Sequence, residues 1–311
     1  MCFTVGSDFV NIPSRYRFIE FMATIARQSI YTYRFRILGY GLNILLRPFK
    51  KTLPSAWIVI HNYDHNLSIC VNPVEHIGST IFYTGFYEAK EIWALKRLIK
   101  PKEVILDIGA NIGAWTLILA KLVPEGRVYA FEPSCFYKQL NWNIQLNREI
   151  KNIVAQNIAL GAYPAQATIS NPNTEHRSSI INYGNLNLKL DPDQSLMGDR
   201  IRVITLDDWV RQEKISRLDW IKLDVEGMEL MVLLGGLDSL IKFHPNLLVE
   251  INENTLGNYG STALQLSSFL MQTGYRFFYR VGKKGVLKKY DSMSTSMGES
   301  FNLICSFRAL D

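Results

Sequence analysis

With 311 residues, 48% of them hydrophobic, the chain has the length for one large domain or two small ones and ample material for a core. Its net charge of +6 sits at one end: residues 1–54 carry eight Lys/Arg (Arg15, Arg17, Arg27, Arg34, Arg36, Arg47, Lys50, Lys51) against Asp8 and Glu20, and the remainder balances at 26 basic and 26 acidic residues. A balanced body argues against nucleic acid as substrate, since phosphate backbones demand basic surface. Four scattered cysteines without C-x-x-C spacing suggest neither a metal site nor a disulfide framework, and fit a reducing cytoplasm.

The basic arm comes first. Phe18, Phe21, Met22 and Ile25 recur at helical spacing. Arg27, Arg34 and Arg36 keep any apolar run short of transmembrane length. Arg15 and Arg17, with no small-residue cleavage site after them, do not fit a signal peptide. Two readings stay open for residues 15–49: a helix lying on an anionic membrane surface, peripheral to a cytoplasmic protein, or a helical cap packed on the body or on a second subunit of a homo-oligomer.

Next, Trp57 to His61 and Leu67 to Val71 predict a hairpin around the turn at 62–66. Glu88 to Ile99 predicts an amphipathic helix that Pro101 ends. From 103 the elements alternate: strand 103–108, helix 113–122, strand 127–132, helix 134–147 and strand 152–159. Strands near 165–170 and 200–204 follow, then a helix at 206–211, strand 218–224, helix 227–241, strand 246–251 and helix 262–273. Alternation of this kind implies a doubly wound, mostly parallel sheet with helices on both faces. Tyr275 to Val281 and Phe301 to Phe307 are strands separated by a Lys-, Gly- and Ser-rich loop, 282–300, and should pair antiparallel. A doubly wound sheet ending in such a hairpin is a class I methyltransferase architecture. The expected organisation is a helical arm (1–54), a hairpin and helix leading into the core (55–100), and a cofactor-binding domain (101–311).

The stretch from Val104 to Ser134 carries the chemistry. A strand ends in Asp107, a turn runs from Gly109 to Gly113, a helix follows, and a second strand stops at Glu132. Glycines let backbone approach a ligand closely. An acid at the second strand's tip has the acceptors to take both hydroxyls of a ribose. A dinucleotide fold would show G-x-G-x-x-G with pyrophosphate on the helix N-terminus. The pattern here is D-x-G-x-x-x-G, and Asp107 would repel pyrophosphate. It suits a ligand with a cationic or neutral middle, such as S-adenosylmethionine. The alternatives are a nicotinamide-dependent oxidoreductase and a non-catalytic membrane-associated scaffold.

A second constellation, Asp224-Val225-Glu226-Gly227, falls where a strand meets a helix. Asp107, Glu132, Asp224 and Glu250 are all expected at C-terminal strand ends, where open α/β sheets bind ligands. Asp224 and Glu226 are candidates for orienting a substrate hydroxyl or accepting its proton. A helix-starting carboxylate such as Glu226 is also favoured by the helix dipole alone. Two acids so close suit a divalent metal too, but nothing else in the sequence supports one and no metal ligands are assigned. His176, in the polar insertion 171–179, is a candidate base or a solvated loop residue. Lys222 either pairs with a rim acid or faces an edge.

In combination, DIGANIG (107–113), AFEP (130–133), the asparagines Asn141, Asn143 and Asn147, TLDDW (205–209), IKLDVEGMELMVLLG (221–235) and PNLLVE (245–250) resemble the FkbM-type methyltransferases over about residues 80–280. The resemblance implies S-adenosylmethionine as cofactor and O-methylation of a sugar, glycolipid or secondary metabolite. It implies that Asp107, Gly109 and Gly113 line the cofactor's methionine part, that Glu132 takes the ribose, and that Pro133 opens the helix near the adenine. Asn111 either bonds the cofactor carboxylate or simply tolerates a left-handed turn.

Overall fold

The computed structural model describes residues 17–31, 41, 45, 55–170, 187–190, 199–290 and 300–310. His176 and the insertion 171–179 lie outside the described residues.

A helix, α1 (Arg17–Tyr31), comes first, then an antiparallel hairpin of β1 (Ile58–Tyr63) and β2 (Leu67–Val71). Helices α2 (His76–Thr84) and α3 (Ala89–Leu98) lead into β3 (Val104–Ile108), α4 (Ala114–Leu122), β4 (Arg127–Phe131), α5 (Phe136–Leu146) and β5 (Ile153–Gln156). A small sheet follows, made of β6 (Ala159–Leu160), β7 (Ala165–Ser170), β8 (Asn187–Leu190) and β9 (Asp199–Ile204) in the order β6-β9-β7-β8. The chain continues through α6 (Leu206–Gln212), β10 (Trp220–Leu223), α7 (Glu229–Leu234), α8 (Leu237–Phe243), β11 (Asn246–Asn252), α9 (Glu253–Gly257) and α10 (Ala263–Thr273). It closes with β12 (Phe277–Val281), β13 (Leu287–Lys289) and β14 (Ser300–Ser306).

The main sheet has the order β13-β12-β14-β11-β10-β3-β4-β5. Strands β11, β10, β3, β4 and β5 run parallel, and β14 pairs antiparallel with both β11 and β12. The strands alternate side chains between two cores, as period-2 pleating requires. Ile105, Leu248 and Ile304 point to one face, under α2, α3, α4 and the hairpin. Leu106, Leu247 and Leu303 point to the other, under α6, α7, α8 and α10.

Asn143 of α5 and Asn147, which caps its C-terminus, dock the hairpin. Asn143 accepts from the Cys70 N–H (2.7 Å) and donates to the Ile112 carbonyl (2.7 Å). Asn147 accepts from the Ser68 N–H (2.8 Å) and donates to its carbonyl (2.7 Å). Side-chain amides thus stand in for a neighbouring strand at β2's open edge.

One face of α1 packs on the body. Ile19, Ala23 and Ala26 are buried, and Arg27 is only 4% exposed. The Arg27 guanidinium donates to Asn62 Oδ1 (3.0 Å) and the Phe82 carbonyl, and lies 5.5 Å from the Phe82 ring centre.

The structure corrects the expected elements at three places. The single strand expected at 152–159 is two, because the chain leaves the main sheet after Gln156 and joins the small one at Ala159. The helix expected at 227–241 breaks at Gly235-Gly236, where Gly235 packs against the Gly161 carbonyl and leaves no room for a Cβ. The loop expected at 282–300 contains β13, which extends the sheet edge. Cys70 and Cys305 are buried free thiols.

Candidate active site

From β3 the sheet grows one way through β4 and β5, and the other way through β10 and β11. A crevice opens at this reversal, beyond the C-terminal strand ends. Two tight turns line it. After β3, Gly109, Asn111 and Gly113 take φ of 83°, 51° and 86°. Asparagine is among the few side chains that visit this left-handed region readily. A Cβ on Gly109 would lie 1.8 Å from the Asp224 carbonyl oxygen, so the two turns meet backbone to backbone. After β10, Glu226 and Gly227 take φ of 55° and 108°. A non-glycine residue held there is strained, and such strain concentrates at functional sites.

The cleft encloses about 1100 Å³, counting its open mouth. At one end stands Glu132, just past β4. Its Oε2 accepts from the Asn111 N–H (2.8 Å), and its Oε1 from the Ser134 N–H (2.9 Å) and hydroxyl. Burial pushes its carboxyl above the usual glutamate range, against the pull of the Ser134 and Asn111 bonds. A carboxylate has about four lone-pair sites, so acceptor capacity is left over. Pro133, Phe136, Ile158, Leu160 and Met228 form apolar walls beside it.

At the other end Lys222 gathers the acids. Its Nζ lies 3.1 Å from Asp224 Oδ2 and 3.8 Å from Asp107 Oδ1, and 3.4 Å from the Gly109 carbonyl oxygen. Burial alone would lower its pKa, but Asp224, Asp107 and Glu88 outweigh burial and hold it above the usual lysine range. Glu88, with φ of 49°, accepts from Trp115 Nε1 (2.6 Å) and Asn302 Nδ2 (2.8 Å). Burial and the Asp224 charge push the Glu88 carboxyl up. Glu250, on β11, accepts from the Ser300 hydroxyl (2.7 Å). Burial and the Asp224 charge push Glu250 up to about 9; burial, Asp224 and Glu229 push Glu226 up to about 8. Tyr87 also lines this end, with burial, Glu88 and Asp224 holding its hydroxyl well above the usual tyrosine range.

Gly109, Asn111, Glu132, Pro133, Asp224 and Glu226 therefore all line one cleft. Asn111 Oδ1 accepts from the Ile112 N–H (2.8 Å), so this residue shapes the turn as well as the wall. Asp107 and Gly113 are not in the lining. Asp107 is fully buried; its Oδ2 accepts from the Thr116 hydroxyl (2.6 Å), while Oδ1 has no hydrogen bond. Gly113 begins α4 and packs under Leu140. Glu250 and Glu88 border a second groove, together with Trp93, Lys283, Lys284 and Ser300. Lys222 is a paired residue of the site, not an edge lysine. Tyr87, Glu88 and His76 escaped the sequence reading. Glu88's place at the start of a helix was their one legible signal. Among the described residues, no three or more His, Cys, Asp or Glu are grouped to hold a metal ion.

A mostly parallel sheet with its ligand crevice at the order reversal and an antiparallel C-terminal hairpin defines a class I methyltransferase fold. The chain belongs to the FkbM methyltransferase family: residues 107–277 match the family model described as methyltransferase FkbM domain. It is 28% identical over 262 residues to the AMB antimetabolite synthetase AmbE of Pseudomonas aeruginosa, covering 74% of this chain and 12% of that protein. It is 26% identical over 170 residues to methyltransferase sdnD of Sordaria araneosa, covering 47% of this chain and 65% of that protein. The crystal structure of methyltransferase FkbM from Methylobacillus flagellatus KT is 16% identical, with a TM-score of 0.43, over 94% of this chain and 60% of that one. The chain thus spans less than two thirds of each of these relatives.

The cofactor of this family is S-adenosylmethionine, and the cleft suits it. Glu132 keeps acceptor capacity for a ribose hydroxyl, the apolar lining suits an adenine, and the acids of the lining suit a sulfonium and an ammonium.

Proposed function

We propose that this protein is an S-adenosylmethionine-dependent O-methyltransferase acting on a hydroxyl of a sugar, glycolipid or secondary metabolite. The observation that carries this reading is the placement of Asp224. It lines the same cleft as Glu132, just past β10 on the other side of β3 from β4, and is paired with Lys222. Bound S-adenosylmethionine would supply an electrophilic methyl group. Glu132 would hold the ribose and Pro133 would border the adenine. Gly109 and Asn111 would present backbone to the amino-acid part. Asp107 would act from beneath, through Lys222. Asp224 would orient the acceptor hydroxyl and take up its proton, and Glu226 would flank it. A positioned base of this kind is worth about 10²–10⁴-fold in rate. Similarity to an antimetabolite synthetase of Pseudomonas supports a small-molecule acceptor.

Isothermal titration with S-adenosylhomocysteine tests the reading. Saturable binding is expected, and Asp224→Asn should retain most of the affinity while losing methyl transfer. Absence of binding at millimolar ligand would reject the function.

A further inference from the structure

We propose that the outer face of α1 docks this protein onto an anionic lipid bilayer, a property separate from the methyltransferase reading. The helix has two faces. Its inner face is seated on the body through Ile19, Ala23, Ala26 and Arg27. On its outer face Phe18 is 68% exposed and Phe21 is 61% exposed, with half-buried Ile25 one turn on. Phe18, Phe21 and Ile25 lie three and four residues apart, so they form one apolar stripe. Exposed Arg17 stands at the start of that stripe.

Charge decides what covers it. Arg27 is turned inward and spent on Asn62 and Phe82. The other seven Lys/Arg of residues 1–54 still exceed Asp8 and Glu20 by five, while the rest of the chain is neutral. An amphipathic helix with an exposed aromatic stripe, in a stretch of sequence with this basic excess, suits an anionic leaflet, where each Lys/Arg near the surface contributes about 1 kcal/mol. A second copy of the chain fits the stripe less well, because it would bring the same positive arm and the two would repel. The helix is fixed to the body through Arg27, so docking needs no unfolding of the cap.

The test is co-sedimentation of the full chain with vesicles of phosphatidylcholine alone, and of phosphatidylcholine with phosphatidylserine. Binding is expected to the anionic vesicles only, and to weaken as salt is raised. Phe18→Ser with Phe21→Ser should lower vesicle affinity about tenfold or more and leave the thermal melt unchanged, since neither ring is buried. S-adenosylhomocysteine binding should be the same in both proteins, so the outcome is independent of the catalytic reading. Equal sedimentation with both vesicles, or with neither, overturns the proposal. So does light scattering that shows a dimer lost in the double variant without any vesicle binding.

Discussion

Glu132 illustrates how much one side chain carries. As an acid at a strand tip it reads from sequence as a ribose ligand. The structure gives it a second task, because its two oxygens accept from the Asn111 and Ser134 N–H groups and the Ser134 hydroxyl. Glu132→Ala is therefore expected to weaken S-adenosylhomocysteine binding by about 1.5–3 kcal/mol, the range for a hydrogen bond to a charged group. It should also lower the melting temperature, since three donors lose their acceptor. Glu132→Gln keeps an acceptor and should recover part of both losses. Calorimetric titration with a parallel thermal melt separates the two effects; unchanged affinity would place the ribose partner elsewhere.

Among the elements, the docking of the hairpin on α5 is the least expected. The periodicity of β1 and β2 is visible in the sequence, and so are the asparagines. That the asparagines hold the hairpin is not visible, because the bonded residues are 73 and 79 positions apart. Asn143 also grips the Ile112 carbonyl in the turn after β3, so one buried amide joins hairpin, helix and cofactor turn. Asn143→Ala should cost about 2–3 kcal/mol in urea denaturation, the penalty for leaving buried backbone groups unpaired. A loss below about 0.5 kcal/mol would show that the hairpin is held by its apolar face alone.

Across the whole molecule, the strand ends bring together acids that are distant in the chain, and this predicts how stability follows pH. In the folded chain burial and neighbouring acids push Glu226 up to about 8 and Glu250 up to about 9, far above an unfolded glutamate at about 4.3. Between those values the folded state keeps protons that the unfolded state has released. Their contribution is fully present below about pH 4.3 and is lost as pH rises through 8 and 9. The melting temperature should therefore fall from about pH 6 to about pH 9, and Glu250→Gln should flatten that fall; scanning calorimetry across the range checks it, and an unaltered slope in the variant would count against it. The sequence by itself determined the alternation of strands and helices, the glycine turn with Glu132 beyond it, and the second turn at Asp224. These signals are local, set by side-chain period and by residues that tolerate a left-handed backbone. Only the tertiary structure decided that Asp107 lies beneath the cleft, that Lys222 is clamped among acids, and that Tyr87 and Glu88 complete the site. Those facts depend on which strands become neighbours in the sheet and on what lies above and below each side chain, and no short window of sequence records that.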